Sequence, residues 1–216
     1  MNHIKTLPPV IVSRYRGWRA TTYEENKTWY HQLAEVGQSP RTMVITCCDS
    51  RMQISSLFNL DMGEVFVHQN IANLVPTYKP DGAQHGTSAA IEYAVKVLKV
   101  ASIIVLGHSN CGGIKGAHKM FSSQSESDGQ DDFLTPWLKQ IKPGFERALE
   151  IHKGKLDDLS TMEQQSVLVS MENIMSFPYV KSAVDEGRLA LHALWNDTGA
   201  GLMLNYNPQT KSFETV

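Results

Sequence analysis

Two short apolar runs that stop abruptly at a cysteine or a histidine constrain this chain more than any other feature. Thr42-Met43-Val44-Ile45 closes on Thr46-Cys47-Cys48-Asp49-Ser50-Arg51, and Ile103-Ile104-Val105-Leu106 closes on Gly107-His108-Ser109-Asn110-Cys111-Gly112-Gly113. Short β-branched runs that give way to small and polar residues are how buried parallel strands end. In open α/β sheets the loops at the carboxyl ends of the strands hold ligands. Set side by side, the two ends bring Cys47, His108 and Cys111 together, with Asp49 close by. Two thiolates, an imidazole and a carboxylate form a donor set suited to tetrahedral zinc.

The spacing sharpens that reading. His108-x-x-Cys111 at a loop-to-helix junction lets both side chains reach one ion, while Cys47 arrives from another strand. Cys-x-x-Cys pairs, the mark of a closed structural zinc, are absent. Three strong ligands with a weak fourth predict an open, catalytic site. The alternative from spacing alone is that two buried cysteines and a histidine merely pack at strand ends. Asp49 and Arg51 share a side of an extended segment. The guanidinium then keeps the carboxylate ionised and oriented, so that Asp49 either ligates the metal or accepts a hydrogen bond from metal-bound hydroxide. Cys48 alternates away and reads as a packed thiol. Of the other histidines, His85 stands out because it lies in a loop just before the Gly86-Thr87 turn.

The remaining pattern predicts an α/β fold: a mostly parallel central sheet flanked by helices, with an N-terminal helical arm and an antiparallel edge strand. Residues 1–20 are aromatic and basic without clear periodicity, and read as an arm that must dock to be ordered. Thr22 can cap a helix reaching Val36, and residues 1–36 together are expected to pack on a partner subunit. Strands are expected at 42–46, 64–68 and 101–106. Ile91, Ala94, Val95 and Leu98 mark the clearest helix, and a strand–helix–strand order implies a right-handed parallel crossover. Further helices are expected from Gly112 to about Phe121, at 134–141, 145–152 and 161–175, the last ending before Pro178. A closing strand pair follows at 189–195 and 201–206, then a turn at 207–210. The polar stretch 122–132 reads as a flexible acidic loop.

At 216 residues, the chain suits one domain spanning 1–216. The balance of 20 basic against 22 acidic residues predicts no nucleic-acid partner. No apolar run approaches the roughly 20 residues of a membrane span, and no signal-peptide pattern is present. An odd number of cysteines, 3, argues against a disulfide framework and for a reducing, cytoplasmic location.

At these residues the chain resembles the β-class carbonic anhydrases, in their plant-like branch. The likeness lies in Cys47-x-Asp49-Ser50-Arg51 and Gly107-His108-Ser109-x-Cys111-Gly112-Gly113. It extends through Gly37-Gln38-Ser39-Pro40, Asn70-Ile71-Ala72-Asn73-Leu74-Val75-Pro76 and the run from Ala89 to Val95. The resemblance implies one Zn2+ per subunit on Cys47, His108 and Cys111, with Asp49 as a switchable fourth ligand paired with Arg51. It implies a carbon dioxide pocket at a subunit interface, matched by Gln38, Phe66 and Ile71 and bordered by the Gly112 backbone. It further implies a homodimer or dimer of dimers, and reversible hydration of carbon dioxide to bicarbonate and a proton by zinc-bound hydroxide. The same motifs occur in hydrolases of carbonyl sulfide or carbon disulfide, and a noncatalytic zinc-stabilised interaction module is the alternative of a different class. Two departures stand out: Gln69 where the family carries arginine, and Gln84 where a tyrosine is common. With Val44 and Gln69 in place of a tryptophan and an arginine, inhibition through a second bicarbonate site is not expected.

Overall fold

The computed structural model describes residues 3–122 and 132–216, in two compact units, 1–39 and 40–216. The acidic stretch expected at 122–132 falls, at 123–131, outside the described residues.

In the first unit, α1 (Pro9–Trp18) runs through a π-helical turn (Arg19–Tyr23) and is followed by α2 (Lys27–Val36). Proline at the first helical position suits α1, because its missing N–H would have no partner there. Helix α2 stops at Gly37, whose φ of +84° is one a glycine adopts without strain. The sequence implies a helical arm but places no helix within residues 1–20, where α1 lies. Its signal was Ile11, Tyr15 and Trp18 at i, i+4 and i+7, diluted by the arginines between them. Trp18 gathers Tyr15, Tyr23 and Tyr30 at ring-centroid distances of 5.6–6.0 Å, and neither helix buries a residue.

The second unit is built on a six-stranded sheet. Its strands are β1 (Thr42–Cys47), β2 (Val65–Asn70), β3 (Ser102–His108), β4 (Ala190–Asp197), β5 (Leu202–Asn207) and β6 (Ser212–Thr215). They lie in the order β2-β1-β3-β4-β5-β6; the pairings among the first four are parallel, and β4–β5 and β5–β6 are antiparallel. The alternation of a strand sends Met43, Ile45, Ile103 and Val105 to one face and Val44 and Leu106 to the other.

The first face is covered by α4 (Gly86–Glu92) with its π-helical extension (Tyr93–Leu98), by α9 (Pro178–Asp185), and by Val167 and Ile174 of α8 (Ser160–Ile174). The second is covered by α3 (Ile54–Phe58), α5 (Gly112–Ser122), α6 (Leu134–Leu138), α7 (Lys142–Ile151) and the start of α8. Two elements go beyond the sequence reading. Pro178, taken there as the end of a helix, is the first residue of α9, whose Val180 and Ala183 are buried one turn apart. The turn at 207–210 leads into β6, where Phe213 packs on Tyr206 at 5.4 Å, so the antiparallel edge is two strands wide. No helix among the described residues is long and apolar enough to cross a membrane.

Candidate metal centre

The site forms where the two central strands end together. The β1–β3 register pairs Thr46 with Leu106, and the Thr46 hydroxyl donates to the Leu106 carbonyl at 3.1 Å. Cys47 and His108 thereby sit at neighbouring strand ends, and Cys111 follows after a tight turn in which Asn110 takes a φ of +56°. The ligand atoms of Cys47, His108 and Cys111 all lie within 4.8 Å of one another, and all three residues are buried. The two sulfurs are 3.9 Å apart.

The backbone around the cluster is shaped for close approach. A Cβ on Gly107 would stand 2.6 Å from Val167 Cγ2, so glycine is what lets α8 pack against β3 beside His108. A Cβ on Gly113 would meet Ala72 Cβ at 2.9 Å, so the first turn of α5 rests on the loop after β2. That loop holds Ala72 and Asn73 at φ +63° and +50°, a conformation that costs non-glycine residues roughly 1–2 kcal/mol each. Asn70 braces it, its amide accepting from Leu74 N–H and donating to Leu74 O, both at 2.8 Å. In return, the Ala72 amide faces the Cys47 sulfur, as does that of Asp49.

The donor chemistry of the cluster fits a metal ion. His108 Nδ1 lies 2.9 Å from the Ser109 carbonyl, so that nitrogen carries the hydrogen and Nε2 presents a lone pair. His108 Nε2 is buried and has no hydrogen-bond partner, which is costly unless something electron-poor binds there. Hydrogen-bond donation from the Cys111 thiol and from the two backbone amides holds the Cys47 thiol well below its ordinary pKa. The Cys111 pKa is pushed up by the neighbouring thiolate and by burial, against which the Gly113 and Ile114 amides at the start of α5 favour its thiolate. A divalent cation between the sulfurs would satisfy both thiolates and the free imidazole nitrogen together.

Asp49 is not one of this close group. Arg51 holds it in a fork, Nε to Oδ1 at 2.8 Å and Nη2 to Oδ2 at 2.7 Å, and Arg51 N–H adds a third bond to Oδ1 at 3.0 Å. Nη2 also donates to the Asn110 carbonyl at 3.0 Å, joining the two loops. These bonds, Arg51's first among them, hold the Asp49 carboxyl well below the usual carboxylate range.

The other residues singled out by the sequence are more dispersed. Ile71 sits just past the end of β2, its carbonyl accepting from the Trp137 indole at 2.8 Å, and Gly112 has open space where a Cβ would point. Phe66 lies opposite Met43, four residues before the end of β2, where it packs on Tyr93 at 5.8 Å. Gln38 belongs to the first unit and is exposed. His85 pairs with Asp81 at 2.7 Å on the surface. Cys48 is exposed rather than packed, because the chain leaves the sheet once its N–H has bonded to Asn70 O.

The sequence assigns no positive role at the site to two further groups. Glu163 of α8 is only 3% exposed; it accepts from Cys111 N–H at 2.9 Å and from the Trp195 indole at 3.1 Å. Burial pushes its pKa up to about 6. The signal was a carboxylate on the apolar stripe of a helix, four residues before Val167. Gln69 donates from Nε2 to the carbonyls of Cys47 and Met52. Only its departure from the family pattern had drawn notice.

The family model described as carbonic anhydrase matches residues 42–203. Beta carbonic anhydrase 3 of Arabidopsis thaliana is 35% identical over 190 residues, 87% of this chain and 72% of that protein. Among solved structures, the β-carbonic anhydrase CcaA superposes with a TM-score of 0.86 at 27% identity, covering 95% of this chain and 90% of that one. A tetrameric β-carbonic anhydrase of Sordaria macrospora gives 0.76 at 31% identity, covering 91% and 94%.

Proposed function

The chain belongs to the β-carbonic anhydrase family of lyases, and from that premise we propose that it hydrates carbon dioxide reversibly to bicarbonate and a proton, with Zn2+ held by Cys47, His108 and Cys111. The observation that carries this reading is the orphaned, buried His108 Nε2 among two thiols, beside a carboxylate locked by an arginine. Zinc, when bound, supplies the Lewis acidity that makes water a nucleophile near neutral pH.

The protein's own part is orientation. Of the roughly four acceptor sites of a carboxylate, Asp49 gives two on Oδ1 and one on Oδ2 to Arg51. One on Oδ2 is left to accept a hydrogen bond from the reacting water and fix its direction. Arg51 keeps that carboxylate ionised, so Asp49 accepts rather than donates. Ile71 and the Gly112 backbone lie at the cluster's end of the sheet and serve the pocket for carbon dioxide.

Phe66 lies further back on β2 and serves the cluster of a second copy, while Gln38 donates to a substrate oxygen. The aromatic first unit, with Ile4, Leu7 and Val10 each more than half exposed, is the surface by which two copies embrace. We therefore assign a homodimer or a dimer of dimers. The reduced thiols suit a cytoplasmic setting.

The test is stopped-flow hydration of carbon dioxide on protein of known zinc content, with carbonyl sulfide run alongside. Fast hydration that disappears on zinc removal and returns on reloading is the expected result. One zinc per chain without hydration above the buffer rate would overturn the assignment, and turnover of carbonyl sulfide alone would transfer it to that substrate.

A further inference from the structure

The loop that carries Asp49 and Arg51 is held at both ends by one side chain from the neighbouring strand. The β1–β2 ladder stops where Cys48 N–H donates to Asn70 O at 3.0 Å. From there Gln69 Nε2 donates to Cys47 O at 3.0 Å and to Met52 O at 3.2 Å. Two carbonyl neighbours settle which end of the amide faces them, because only the NH2 group can donate. The turn between these carbonyls is closed from within by Met52 N–H to Asp49 O at 2.9 Å. Met52 is 1% exposed in the core beneath α5, so that end of the clip is fixed. The other end is the peptide oxygen of Cys47.

We propose that Gln69 is a positioning residue: by donating from one amide nitrogen to Cys47 O and Met52 O, it holds the Cys47–Met52 turn in the form that presents Cys47 to the metal and Asp49 to Arg51. This rests on the reading of the cluster as a metal centre. A neutral donor is sufficient here, because Arg51 already supplies the positive charge within the loop. A carboxylate at this position would meet two carbonyl oxygens with acceptors alone, whereas a guanidinium, with its several N–H groups, can make both bonds.

The experiment compares the zinc-loaded full chain with Gln69→Ala, Gln69→Glu and Gln69→Arg. It measures the rate at which zinc passes to a chromogenic chelator, and hydrogen exchange of the amides at 47–53. Loss of partners just outside a metal's ligands commonly changes affinity about 10–100-fold. Gln69→Ala is therefore expected to release zinc ~10-fold faster, Gln69→Glu at least as fast, and Gln69→Arg close to the parent, with exchange in the same order. Release at the parent rate from both the Ala and Glu variants overturns the proposal, even if their melting temperatures fall. Failure of the Arg variant to restore slow release also overturns it. If the parent holds no zinc, the metal reading fails, and the exchange order alone decides the clip: faster exchange in Ala and Glu with recovery in Arg upholds it, and unchanged exchange ends it.

Discussion

Asp49 and Glu163 flank the same cluster and live in opposite surroundings. Asp49 lies toward solvent in the fork of Arg51, a charged partner that holds its pKa down. Glu163 is buried, and its hydrogen-bond partners are neutral: the Cys111 amide and the Trp195 indole. Burial holds its pKa up. Both carboxylates are satisfied, one by charge and one by geometry. The difference separates two jobs. A carboxylate kept ionised at the mouth can serve a reacting molecule at little cost to stability. A carboxylate clamped between two N–H groups in the core fixes where Cys111 and β4 stand, and it belongs to the fold.

Glu163→Ala leaves two buried donors, the Cys111 amide and the Trp195 indole, without an acceptor. At about 1–3 kcal/mol for each, the loss of stability should be ~4 kcal/mol, a fall in melting midpoint of roughly 10 °C for a chain of this size. Denaturant unfolding followed by tryptophan fluorescence reads it, and a loss below ~1 kcal/mol would mean the tether does not hold the fold.

A smaller effect concerns pH in the metal-free protein. Glu163 has a folded pKa raised from 4.5 to about 6, so its stabilising contribution is complete below pH 4.5 and is lost as pH rises through 6. The change is ~2 kcal/mol. Asp49 has a depressed folded pKa, so its contribution is present above its ordinary value of 3.8 and is lost only as pH falls below it. The difference in stability between Glu163→Gln and the parent should thus change by ~2 kcal/mol between pH 4.5 and 6 and stay constant on the more acid side. An unchanged slope in that window would show that Glu163 is not the group responsible.

The strand ends were legible because burial and chemistry spoke through the same residues. β-branched runs have to be buried, and a cysteine or histidine ending each run has to face whatever lies at the sheet's edge. That Cys47, His108 and Cys111 converge could be read from this alone, as could the parallel order of β1, β2 and β3. The neighbouring groups were harder because their meaning depends on partners distant in the chain. Glu163 meets Cys111 across 52 positions and Trp195 across 32. Gln69 acts through backbone carbonyls, which no side-chain pattern announces. Pro178 read as a stop because the same residue that ends one helix can begin the next. Helix α1 has an apolar stripe but buries nothing within its own unit, so its pattern was blurred by arginines.

We propose that Asp49 serves the chemistry while the cluster holds the metal without it. The direct measurement is zinc content and carbon dioxide hydration on one preparation of Asp49→Ala. An exposed ion pair is worth under about 1 kcal/mol, so the variant should fold as the parent does and keep one zinc per chain. Its hydration rate should fall by ~10²-fold, as expected for a lost orienting group. Full turnover with zinc bound would contradict that role, and loss of the zinc would show that Asp49 is needed to hold the metal after all.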